Sequence, residues 1–109
     1  MAKRLPGHYL RTKKLFPDYL DALEALGEAA RKAGPLDAKT LQLVQLSAAA
    51  AVRSEGAVHS HARRALGAGA KPEEIRHAVI AVTSTIGFPN VTAALSWIED
   101  VLARGRKRS

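Results

Sequence analysis

Two histidines and a carboxylate fall within one short stretch, Glu55-Gly-Ala-Val-His59-Ser-His61. On a helix Glu55 and His59 stand at i and i+4, so their side chains meet on one face. A carboxylate placed there can orient the imidazole for acid–base work. The same spacing is also that of an ordinary surface pair worth about 0.2–0.5 kcal/mol. His61 belongs to a different stripe, with Ser54, Ala57, Val58 and Ala65. That face is small and apolar apart from Ser54 and His61, which leaves space beside the ring for a substrate or for another helix. A metal is a third option. Glu55 and His59 would supply two ligands, and a third would have to come from His77, His8 or a neighbouring subunit. No HExxH, Gly-rich phosphate loop or GxSxG elbow is present, so the sequence assigns no metal and no acyl-transfer site.

Helices must position these residues. Phe16, Tyr19, Leu20, Leu23 and Leu26 repeat at helical spacing behind Pro17, predicting a helix that stops before Gly34-Pro35. Asp37 is a good N-cap for a second helix with Leu41, Val44, Ala48 and Ala51 as its apolar stripe. A third covers roughly 55–67 and carries the histidines. Lys71-Pro72-Glu73-Glu74 opens a fourth, continued by Ile75, Val79 and Val82 to Ile86-Gly87. Pro89 opens a fifth, burying Leu95, Ile98, Val101 and Leu102. Strand patterns are absent. The fold class is therefore all-α, a bundle of about five helices over residues 15–103.

The 109 residues fit one small domain. Ala supplies 21 of them and only five are aromatic. Such a core is thin, and subunit contacts are expected to complete it. There is no cysteine, which removes disulfides, Cys zinc sites and thiol redox chemistry. No apolar run is long enough for a membrane span and no secretory signal is visible, which fits a cytoplasmic protein. The net charge of +7 comes from the ends. Residues 1–14 form a basic N-terminal arm, with Leu5, Tyr9 and Leu10 as apolar anchors, and residues 104–109 a basic C-terminal tail. The 15–103 body carries 8 bases and 10 acids. Basic tails can bind nucleic acid, although here they have no base-reading motif beside them and also suit plain solubilising ends.

From Leu36 to Val101 the chain resembles the carboxymuconolactone decarboxylase family, which includes the alkylhydroperoxidase D-like proteins. The resemblance rests on His61-x3-Ala65-x3-Gly69-x3-Glu73-Glu74-Ile75, on the preceding helix Lys39-Thr-Leu-Gln-Leu-Val-Gln-Leu, and on Ile86-Gly87-Phe88-Pro89 followed by Ala93-Ala94. In the peroxidase branch a Cys-x-x-Cys precedes the motif histidine and a relay glutamate lies twelve residues before the first cysteine. Here the two cysteine positions are Ser54 and Ala57, and the glutamate position is Gln42. The matching His61 remains. The resemblance thus implies an oligomeric helical protein, a homo-trimer or homo-hexamer, that is not a thiol peroxidase. The decarboxylase branch needs neither cysteine nor cofactor and acts on a lactone diacid. By that likeness His61 would be the proton donor or base, and Arg63 a candidate to hold a carboxylate. Arg63 nevertheless lies about 160° from His61 around an ideal helix. Thr85 stands where the decarboxylases often carry tyrosine.

Two readings follow. In the first, the chain is a cofactor-free lyase or isomerase acting on a small organic acid. His61 is the acid or base, Glu55 orients His59, and Gln42 gives a neutral hydrogen bond. In the second, it is a non-catalytic oligomeric binding module that kept the fold, its basic tails serving a protein or nucleic-acid partner.

Overall fold

In a computed structural model of the chain, residues 7–108 are described, with side chains as far as Gly105. Among them all regular structure is helical: α1 (Gly7–Leu15), α2 (Pro17–Lys32), α3 (Ala38–Ala51), α4 (Glu55–Gly67), α5 (Pro72–Ile80), α6 (Thr83–Ile86) and α7 (Phe88–Arg108). The five expected helices are α2, α3, α4, α5 and α7. The chain divides into two compact units, one ending at Pro35 and one beginning at Leu36.

In the first unit, α1 and α2 pair through Glu24, which accepts hydrogen bonds from Tyr9 Oη and from Lys13 Nζ (3.1 Å). Part of the basic arm is thus helical, and one of its charges is neutralised by α2. The anchor Leu5 lies outside the described residues. Pro17 occupies the first turn of α2, where its missing N–H costs no hydrogen bond. One face of α2 leaves Phe16, Tyr19, Leu23 and Leu26 exposed.

The second unit holds the main core. Leu46, Val58, Ile75, Val79, Val91 and Ile98 are fully buried, and Ala49, Ala50, Ala62, Ala65 and Ala94 fill the space between them. Alanines on α3 and α4 let these two helices approach closely, and they form the most extensive pairing in the unit. Hydrogen bonds and ion pairs then fix the other helices. Ser47 Oγ donates to Ala78 O at 2.7 Å, and Lys39 pairs with Glu74 at 3.1 Å, joining α3 to α5. Arg76 grips Glu99 with two hydrogen bonds of 2.7 and 3.1 Å, joining α5 to α7.

The helix ends have local causes. Asp37 Oδ1 accepts from Thr40 N–H at 2.8 Å and caps α3. The turns after α3 and α4 close by the same pair of backbone hydrogen bonds. After α3, Ser54 N–H reaches Ala49 O and Arg53 N–H reaches Ala50 O. After α4, Ala70 N–H reaches Ala65 O and Gly69 N–H reaches Leu66 O. This closure needs a left-handed residue. Glycine fills that position after α4 (Gly69, φ 98°), whereas after α3 it is Arg53 (φ 57°).

Two elements differ from expectation. The fourth helix stops at Ile80 instead of running to Ile86. Beyond it lie Val82, Thr83, Thr85 and Ile86, β-branched side chains that crowd a helical turn. Thr83 Oγ1 also satisfies the terminal carbonyl of Ile80 at 2.6 Å, and the short α6 follows. The last helix continues through the basic tail to Arg108.

Candidate functional site

The α3–α4 pairing brings His61 to Gln42. Gln42 is buried on α3, and its Oε1 lies 2.9 Å from His61 Nδ1. A carbonyl oxygen only accepts, so Nδ1 carries the hydrogen and Nε2 presents a lone pair. His61 is half-buried. Burial, reinforced by the positive charge of Arg64, holds its pKa below the ordinary histidine value. The ring is therefore neutral at pH 7, and it makes no further hydrogen bond among the described residues. Gln42 fixes the tautomer and leaves a base.

Arg64, one turn beyond His61 on the same side of α4, is the cation whose charge reaches that ring. The sequence points to Arg63 instead. Arg63 is exposed, and the charges that act on it are those of Arg104 and Arg64. Partial desolvation and these like charges lower its pKa. The adjacent charges of Arg63, Arg64 and Arg104 make this part of the α4–α7 surface strongly basic.

His59 looks the other way. Its Nε2 lies 3.2 Å from Asp100 Oδ2 on α7 and 4.0 Å from Glu55 Oε2. The expected Glu55–His59 pair is present, but the closer carboxylate is Asp100, which no local spacing reveals. His59 and His61 are two residues apart, about 160° around the helix. The structure thus sets the expected residues in two constellations, His61 with Gln42 toward α3, and His59 with Glu55 and Asp100 toward α7.

Ser54 is the N-cap of α4, its Oγ accepting from Ala57 N–H at 3.3 Å. Thr85 is exposed on α6. An open groove of about 370 Å³ runs between α3 and α5, lined by Thr40, Val44, Ser47, His77, Ala78 and Val82 among others. Of the sequence-derived candidates only His77, considered as a third metal ligand, lines it, so the groove does not mark the His61 chemistry. Gln45, on α3, has a buried side-chain oxygen with no hydrogen-bond partner among the described residues.

Residues 17–100 match the sequence profile of the carboxymuconolactone decarboxylase family, which is most of the chain. The chain belongs to the carboxymuconolactone decarboxylase family. The family match runs from the start of α2 into α7 and takes in both histidine constellations. A 52-residue segment is 42% identical to a protein of Haemophilus influenzae described as uncharacterized. It covers 48% of this chain and 46% of that protein, so the match spans less than half the length of the relative. No solved structure matches the chain. His61 lies within the matched residues, and the sequence has no cysteine. No helix among the described residues is long and apolar enough to cross a membrane.

Proposed function

We propose that this family member is an acid–base enzyme, a lyase or isomerase acting on a small organic acid, with His61 as its proton-transfer group. The hydrogen bond from His61 Nδ1 to Gln42 Oε1 carries this reading. It presents a neutral, half-buried imidazole whose Nε2 can take a proton from an acidic C–H and, as the imidazolium so formed, return it to a carbanion such as the one left when carbon dioxide departs. Gln42 orients the ring without adding charge. Arg64 is placed to hold a substrate carboxylate near it, and Arg63, a residue away, to serve a neighbouring site or an ion pair. Ser54 and Thr85 are candidate contacts at the edges. The His61 reaction draws on the chain's own groups and needs no cofactor, and the complete site belongs to a cytoplasmic homo-trimer or homo-hexamer. With no thiolate there is no nucleophile for a peroxide, so hydroperoxide turnover is not expected.

The test offers the protein a panel of carboxylated lactones and unsaturated dicarboxylic acids. Release of carbon dioxide, or deuterium uptake from solvent at the acidic carbon, is followed by NMR. His61→Ala and His61→Gln should remove turnover while leaving the assembly and helical content unchanged. Turnover that persists in both variants overturns the assignment.

The massed charge of Arg63, Arg64 and Arg104 favours a second reading, a module for an anionic macromolecule. Salt-sensitive retention of DNA or RNA, lost on neutralising these three arginines and trimming the basic ends, would support it.

A further inference from the structure

The geometry points to a divalent transition-metal site formed by Glu55, His59 and Asp100, on the α7 side of α4 and separate from His61. One ligand atom from each residue falls within 4.8 Å of the other two. Two of these separations are 3.2 Å and 4.0 Å, both measured from His59 Nε2. A tetrahedral ion with bonds of about 2.0–2.2 Å holds its donors about 3.3–3.6 Å apart. Small side-chain rotations of the two carboxylates are all that the fit requires.

Ordinary causes account for part of this cluster. Glu55 in the first turn of α4 suits the positive end of that helix, and Glu55 with His59 is a common i, i+4 pair. Neither explains Asp100, which arrives from another helix 41 residues along the chain and approaches the same ring nitrogen. Two carboxylates within 4.8 Å repel each other, and one imidazole stands between them. A dication would neutralise both and take the Nε2 lone pair, displacing the proton that Nε2 otherwise donates to Asp100.

The packing around the ligands suits a bound ion, while the charges of Arg63 and Arg104, one turn beyond His59 and Asp100, work against a cation. The helix carrying His59 packs firmly against the one carrying Asp100, and Val58, Ala62, Ile98 and Val101 are buried within three residues of His59 or Asp100. The nitrogen ligand is therefore held on rigid backbone, its side chain only 18% exposed, whereas the carboxylates are 57% and 52% exposed. The remaining coordination positions open to solvent, where water or a small anion can enter. One nitrogen and two oxygens select a borderline ion such as Zn²⁺ or Co²⁺, or the harder Mn²⁺, over a soft one.

The test uses the untagged full-length protein, stripped with chelator. Zn²⁺ is titrated by calorimetry, and Co²⁺ is followed by its visible absorption bands. One ion per chain is expected. Outer-sphere partners alone change metal affinity about 10–100-fold, so losing a ligand should weaken binding at least about tenfold. His59→Ala and Asp100→Asn should each do so with unchanged circular dichroism, and His77→Ala should not. No saturable binding by the wild-type protein up to millimolar metal, or binding that survives His59→Ala or Asp100→Asn, overturns the proposal. The result is independent of turnover at His61, so failure of one assignment leaves the other standing.

Discussion

His61 is the residue on which most turns, and its environment gives a signed expectation. Burial and Arg64 lower its pKa. An unfolded histidine titrates near 6.5. Below about 6.5 the unfolded chain takes up a proton that the folded ring still refuses, so the contribution to stability is complete above that pH. It is lost as pH falls through the folded value. The wild-type urea midpoint should therefore drop more between pH 7.5 and 5 than that of His61→Gln. The acid limb of activity should lie below the usual histidine range, because the base must be neutral. Gln42→Glu places a carboxylate against Nδ1 and should raise the ring's pKa, moving the limb upward. An NMR titration of His61 that is unchanged by this substitution would show that the two side chains do not meet. His61 and the Glu55–His59 pair were legible from residue type and spacing. Asp100 and Arg64 were not, because the first comes from a distant helix and the second is recognised only once the direction of the ring is known.

At the scale of elements, α4 runs from Glu55 to Gly67, over the 55–67 span expected for it. Punctuating residues made the long helices readable. The α5–α6 break was hidden because Val79 and Val82 continue an apolar period across it, while the hydroxyl of Thr83 decides where the helix ends. The turn after α3 was equally hidden, since an arginine occupies a position that favours glycine. Arg53 has a compensation, for its Nη1 donates to Asn90 Oδ1 at the start of α7. Arg53→Ala removes that bond and keeps the left-handed strain, whereas Arg53→Gly removes both. The alanine variant should be less stable than the glycine variant by about 1 kcal/mol, read from chemical denaturation. Equal stability would mean that the turn carries no strain.

The whole molecule combines a thin alanine-rich core with large apolar side chains left outside it. Phe16, just before α2, and Tyr19 and Leu26 on it are each at least 60% exposed. A stripe of this kind is unusual on a solitary soluble chain and fits the homo-oligomer proposed above. Light scattering should give a mass of three or six chains, and Leu23→Glu with Leu26→Glu should lower it. A monomeric wild-type protein would remove the oligomer from the proposal. The exposed stripe was legible as a helix period, but not as a surface, because periodicity marks a face and does not say what covers it.

The alanine seam between α3 and α4 acts as a gauge block. Its small side chains set how near the two helices stand, and that spacing leaves Gln42 and His61 2.9 Å apart. An extra methylene in a packed seam costs about 1–3 kcal/mol and pushes its walls outward. Drift at Ala50, Ala62 or Ala65 would thus detune the imidazole without touching it: the hydrogen bond lengthens, the tautomer is freed, and the ring's proton affinity moves toward that of a histidine in water. The sequence tolerance of this protein should accordingly be narrowest at its plainest residues.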